Sequence, residues 1–158
     1  MAGLRKASDF THKREFMECT IRWTSDMTFL AETGSNHVVA MDGAPEAGGR
    51  NLAPRPMEMV LVGTGGCTGY DVVVILKKSG QDVTGCEVKL TSERAETDPK
   101  VFTKIHMHFV VRGRALKRNV VEHAIRLSHE KYCSASIMLG KTATITQGFE
   151  IVEENQQA

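Results

Sequence analysis

Hydrophobic and polar residues alternate along most of this chain in short runs, interrupted by one long apolar block and one amphipathic block. Cys19, Ile21 and Trp23 alternate with Glu18, Thr20 and Arg22, the two-residue period of a half-buried strand, which puts Cys19 on a core face. Ser25-Asp26 marks a turn, and Thr28–Thr33 and His37–Met41 predict two further strands around Gly34-Ser35-Asn36. Gly43 to Arg55, rich in glycine, proline and alanine, predicts a loop. Met57 to Lys78 is apolar nearly all round and predicts a buried central helix, with Pro56 in its first turn and Gly80 as its C-terminal cap. Its glycines and the acids Glu58 and Asp71 argue against a bilayer span.

A long hairpin follows. Cys86, Val88 and Leu90 share one face, and after a turn at Ala95–Lys100 so do Ile105, Met107, Phe109 and Val111. Lys117 to Tyr132 predicts an amphipathic helix, with Val120, Val121, Ala124, Ile125, Leu127 and Ser128 inward. A short helical piece over Ile137–Lys141 precedes a last strand from Ala143 to Val152. Residues 1–16 read as a polar extension, 17–152 as one domain and 153–158 as a tail. The order β-β-β-α-β-β-α-β predicts an α+β fold with the antiparallel hairpins in one sheet. A helix without a polar face needs cover on its far side as well, which a second copy in an isologous dimer supplies.

Composition narrows the function. The 158 residues carry 20 Lys and Arg against 19 Asp and Glu, and the net charge of +1 favours neither nucleic acid nor an anionic membrane surface. Aromatic residues make up only 6 %, too few for a platform that stacks bases. The first sixteen residues contain no apolar h-region, which predicts a cytoplasmic protein. The four cysteines are too sparse for a disulfide scaffold, and no pair has C-x-x-C spacing.

Cys67, among Thr64, Gly65, Gly66, Thr68 and Gly69, reads either as a reactive thiol that small neighbours leave approachable or as a buried structural cysteine. Cys133 follows the amphipathic helix. A helix C-terminus opposes a thiolate and Lys131 is the nearest cation in sequence, so Cys133 suits a resolving role better than an attacking one, or is structural. Cys86, like Cys19, reads as core. His106 and His108 share a strand face at a spacing that can chelate a metal, but no further ligand accompanies them in sequence. His123 and His129 read as surface residues.

Pro56-Met57-Glu58-Met59, the Gly66-Cys67 helix and Tyr132-Cys133-Ser134-Ala135-Ser136 together resemble the OsmC/Ohr family of osmotically inducible and organic-hydroperoxide-resistance proteins, in particular its YhfA-like branch. The resemblance spans Met17 to Val152. It implies an OsmC-like α+β fold, antiparallel sheets around two central helices, in an intertwined homodimer. It also implies reduction of organic hydroperoxides without metal, haem or other cofactor. Cys67 matches the attacking cysteine and Cys133 the resolving one, with an external dithiol as reductant. The chain departs from the peroxidase branches at the groups that activate the thiol. Met57 stands where those branches have a glutamate paired to an active-site arginine, and Glu58 lies one residue, about 100°, further round. Ser25, Asp26 and Met27 occupy the arginine's region, leaving Arg22 and Arg55 as substitutes. The alternative is a non-catalytic member that binds a small apolar or electrophilic molecule at the dimer interface, in a pocket made adaptable by Met57, Met59 and Met138.

Overall fold

The computed structural model describes residues 17–155; the expected extension over 1–16 lies outside them, as do the last three residues of the tail. The described strands are β1 (Cys19–Ser25), β2 (Thr28–Thr33), β3 (Val38–Met41), β4 (Asp82–Arg94), β5 (Phe102–Arg114) and β6 (Thr144–Glu153), and the helices are α1 (Pro56–Lys78), α2 (Arg118–Leu127) and α3 (Ser134–Leu139). They form an α+β arrangement with two three-stranded sheets, β1-β2-β3 and β4-β5-β6, where the sequence pattern predicts a single sheet. The chain divides into two compact units at Pro56 and Met57.

The first unit is an antiparallel meander. Asp26 and Asn36 take positive φ (48° and 62°) in its two turns, a conformation that short polar side chains tolerate. Every residue of β1 is exposed, Trp23 by 68 % and Ile21 by 51 %, so Cys19 is not a core residue as its alternation predicts. The alternation is real, but among the described residues of this unit the one helical element is the short 3-10 turn Pro45–Ala47, and β1 stays exposed. The loop after β3 is organised by buried Asp42. Its carboxylate accepts N–H donors from Gly43 (2.8 Å), Arg50 (3.1 Å) and Leu52 (3.0 Å) and the Thr28 hydroxyl at 3.3 Å. The Leu52 amide does most to hold this carboxyl below its usual range, and the Gly43 and Arg50 amides and Thr28 add to it against the effect of burial.

In the second unit α1 lies against the β4-β5-β6 sheet. Thr64, Thr68, Val72 and Leu76, spaced four apart, are the buried stripe of α1. Val72 and Leu76 share one core with Ile105, Met107, Phe109 and Val111 of β5 and Val121, Ala124 and Ile125 of α2. The helix approaches the sheet closely because Gly65 and Gly69 face it. A Cβ at Gly65 would stand 2.7 Å from Leu90 Cδ1, and one at Gly69 3.2 Å from Val88 Cγ2. Gly80, at φ 70°, ends α1 as predicted, with the Gly80 and Gln81 amides capping Lys77 and Leu76 carbonyls. The opposite face of α1 is open and apolar, with Val62 60 % and Tyr70 73 % exposed.

Two elements differ from expectation. β6 joins β5 in parallel, Lys104 opposite Thr144 and Gly113 opposite Glu153, because the connection through α2 and α3 returns it to the starting end of β5. The second helix also does not run regularly to Tyr132. It leaves α geometry at Leu127, and Ser128–Tyr132 forms a wider, π-type turn in which the Cys133 amide reaches back five residues to the Ser128 carbonyl at 2.8 Å.

Candidate functional site

The π-type turn delivers Cys133 to α1. Helix α3 begins three residues earlier than the Ile137–Lys141 piece predicted, and Cys133 is its N-cap. Its sulfur accepts the Ser136 N–H at 3.4 Å, while the Ser136 hydroxyl donates to the Cys133 carbonyl at 3.1 Å. Cys133 is fully buried. From α1, Cys67 and Asp71 stand one turn apart on the flank of the buried stripe, both half-buried. The Cys67 sulfur, a carboxylate oxygen of Asp71 and the Cys133 sulfur all lie within 4.8 Å of one another, and both cysteines are free thiols.

Neighbouring hydroxyls hold this cluster in place. Ser128, inside the π-type turn, donates to Asp71 Oδ2 at 3.0 Å. Thr68 lies 3.2 Å from the Cys133 sulfur and 2.9 Å from the Thr64 carbonyl. A hydroxyl carries one proton, so Thr68 serves the sulfur or the carbonyl at any moment, and a charged sulfur draws it more strongly.

These contacts polarise the pair. Burial pushes the Cys67 thiol up. The Cys133 sulfur beside it and the charge of Asp71 act in the same direction, and the Ala135 amide opposes them. Burial also pushes Cys133 up, but the Ser136 side chain, Thr68, the Ser136 amide and the Cys67 thiol outweigh it and bring this thiol below its ordinary value. The expectation that Cys133 sits at an unfavourable helix terminus is therefore corrected: the next helix opens on it, and an amide faces its sulfur. Lys131 is engaged elsewhere, with its Nζ 5.5 Å from the centre of the Tyr132 ring. The two thiols are thus driven apart, Cys67 up and Cys133 down, and Cys67 is the more accessible of the two.

None of the other sequence candidates is among these three donors. Arg22 lies exposed on β1 in the first unit, paired with Glu32 at 2.6 Å. Arg55 is exposed in the loop before α1. Glu58 is nine residues before Cys67 on the same helix, which puts it on the opposite side. There it lines an apolar groove with Leu61, Val62, Gly65, Gly66, Val88 and Leu90. Met57 packs partly buried against the core, and Met138 is 67 % exposed. Cys86 is half-buried beside the core, and burial raises its thiol. His106 and His108 flank Gly148 of β6 with ring centres 6.5 Å apart. His106 Nδ1 meets Thr146 Oγ1 at 2.8 Å, while His108 Nε2 stands 3.8 Å from Glu150. Asp71 is the site residue that sequence reasoning missed, although its spacing of four from Cys67 on a helix was available to find it.

Residues 48–147 match the protein family described as OsmC-like protein. Protein YhfA of Escherichia coli strain K12 is 51 % identical over 136 residues, which are 86 % of this chain and 98 % of that protein. The crystal structure of a hypothetical protein from Aquifex aeolicus VF5 superposes with a TM-score of 0.79 at 30 % identity, over 89 % of this chain and 99 % of that one. An organic hydroperoxide resistance protein, OsmC, from Legionella pneumophila has the same fold, with a TM-score of 0.66 at 14 % identity over 87 % of this chain and 98 % of its own.

Proposed function

This chain belongs to the OsmC-like family, and on that footing we propose that it is a cysteine-based peroxidase that reduces organic hydroperoxides in defence against oxidative stress. The observation that carries this reading is the approach of two free thiols, Cys67 and Cys133, from distant parts of the chain to within 4.8 Å. The name of the Legionella pneumophila protein supplies the substrate class.

The chemistry follows from the polarised pair. The Cys67 sulfur attacks the distal oxygen of the hydroperoxide as its proton passes to the Cys133 thiolate. The O–O bond breaks, Cys67 becomes a sulfenic acid, and the alkoxide takes a proton from solvent and leaves as an alcohol. Cys133, now a thiol beside the sulfenic acid, attacks the Cys67 sulfur and expels water, leaving a disulfide. An external dithiol returns both cysteines to thiols by two exchange steps and is itself oxidised to a disulfide. Cys133 acts first as base and then as resolving thiol, work for which a lowered pKa, which makes its thiolate available, suits it. Glu58, across the helix from Cys67, has no part in these steps. A homodimer completes the reading: the open apolar face of α1 is the surface on which a second copy packs.

The test is a count of thiols in reduced protein after one equivalent of cumene hydroperoxide. The parent is expected to lose two thiols per chain, and Cys133→Ser, lacking the base as well as the resolving thiol, to form more slowly a sulfenic acid that dimedone traps on Cys67. If Cys67→Ser consumes peroxide as fast as the parent, the reading fails.

A further inference from the structure

The peroxidase reading uses two of the three donors in the cluster and leaves Asp71 idle. We infer that Cys67, Cys133 and Asp71 together form a seat for a zinc-class divalent cation, held by two thiolates and one carboxylate with a fourth position open. The inference goes beyond the peroxidase reading and stands without it, because it needs only the donors and their positions.

The donor set selects the ion class. Two sulfurs and one carboxylate suit zinc and its tetrahedral relatives, whereas magnesium and calcium require oxygen-only shells. The geometry is close to closed. Zinc bonds of about 2.3 Å to sulfur and 2.0 Å to oxygen place tetrahedral donors about 3.5–3.8 Å apart. The three atoms already lie within 4.8 Å of one another, so side-chain adjustments of about 1 Å suffice. Cys67 and Asp71 come from successive turns of one helix, whose Thr68 and Val72 are buried, so their relative position is fixed by the backbone. Cys133 approaches from a separate element and is set by its role as N-cap.

The surroundings are those of a ligand shell. Ser128 orients the Asp71 carboxylate at 3.0 Å, and the Thr68 hydroxyl and Ser136 amide orient the Cys133 sulfur at 3.2 and 3.4 Å. Such outer contacts fix the direction of lone pairs before the ion arrives. Binding displaces the remaining thiol protons to solvent and joins each sulfur to the metal. A metal-bound pair cannot form a disulfide, and a disulfide cannot bind the metal, so the ion and the oxidant compete for the same reduced state.

The experiment titrates reduced, metal-free full-length protein with zinc against a chromophoric chelator under anaerobic conditions. A parallel titration with cobalt(II) reads thiolate-to-metal charge transfer and tetrahedral ligand-field bands. A Cys19→Ser/Cys86→Ser background removes the other two thiols. One equivalent per chain with tetrahedral cobalt bands is expected. Cys67→Ser and Cys133→Ser should each abolish the two-sulfur spectrum, Asp71→Asn should weaken zinc at least tenfold, and Asp71→Glu should restore part of that loss. Ser128→Ala should weaken it by about tenfold. Circular dichroism on each variant confirms that the fold is kept. Absence of tetrahedral bands in the folded parent overturns the inference, as does an affinity that Asp71→Asn leaves unchanged. Failure of the peroxide assay alone leaves these outcomes untouched, so the two readings fall separately.

Discussion

Replacing Gly63 and Gly66 by alanine tests what covers the open face of α1. Both glycines lie in the interior of a 23-residue helix, where each costs about 0.8–1.0 kcal/mol relative to alanine. Gly65 and Gly69 repay that cost by admitting Leu90 and Val88 of the sheet. Gly63 and Gly66 do not: within their own unit a Cβ at either position meets no heavy atom within 4 Å. If that face stays in water, the double variant gains about 2 kcal/mol in helix propensity, and its melting temperature rises by about 4–8 °C. If a second copy packs there, each added methyl group strikes it instead. Overpacking costs about 1–3 kcal/mol at each contact, and a two-fold interface meets every such contact twice. A net loss of even about 2 kcal/mol weakens association about 30-fold. Light scattering across a dilution series measures association, and thermal unfolding at the same concentrations measures stability. The expected outcome is a parent dimer and a variant that dissociates at higher concentration. A double variant that melts several degrees higher with association unchanged would refute the reasoning. The matched control is Gly65→Ala, whose Cβ would crowd Leu90 at 2.7 Å in the single chain and lower stability whatever the oligomeric state.

Two further predictions concern titration. The Asp42 carboxyl is held below its unfolded value by the Leu52, Gly43 and Arg50 amides and the Thr28 hydroxyl. Its contribution is therefore complete above the unfolded value of 3.8 and fades as pH falls through the lower folded value. Denaturant unfolding between about pH 5 and pH 2 should show Asp42→Asn less stable than the parent at the upper end, with the gap closing in acid; a gap independent of pH would contradict it. Cys67 is raised chiefly by burial, with Asp71 among the charges acting in the same direction. Its alkylation by iodoacetamide should accordingly rise at higher pH than that of an ordinary thiol, and Asp71→Asn should move the profile toward lower pH. A profile identical in both proteins would remove Asp71 from the electrostatics of the pair.

How far the fold and the site are legible in the sequence depends on what each signal encodes. A two-residue period assigns faces correctly along β4 and β5, where Val88 stands opposite Phe109 and Leu90 opposite Met107. It does not say what covers a face, and so Cys19, on a strand whose residues alternate, lies exposed. Nor does periodicity carry strand direction. The parallel pairing of β6 was available instead from the connection, since a return path containing helices permits a parallel neighbour that a tight turn forbids. The site shows the same division. That Cys67 and Cys133 meet is implied by family resemblance, because no local rule relates positions so far apart in the chain. The state of Cys133 was hidden for a different reason. Cap rules look for serine, threonine, aspartate or asparagine, and here a cysteine takes the cap, with its sulfur accepting the amide that a hydroxyl would normally accept. A residue that reads as the end of one helix is thereby the start of another, and the sign of its effect on the thiol reverses. Asp71 completes the case, since a spacing of four on a helix is a local rule and a cysteine followed by an acid at that distance already places both on one face. What the sequence lacks is the third donor, which the π-type turn after Leu127 brings in.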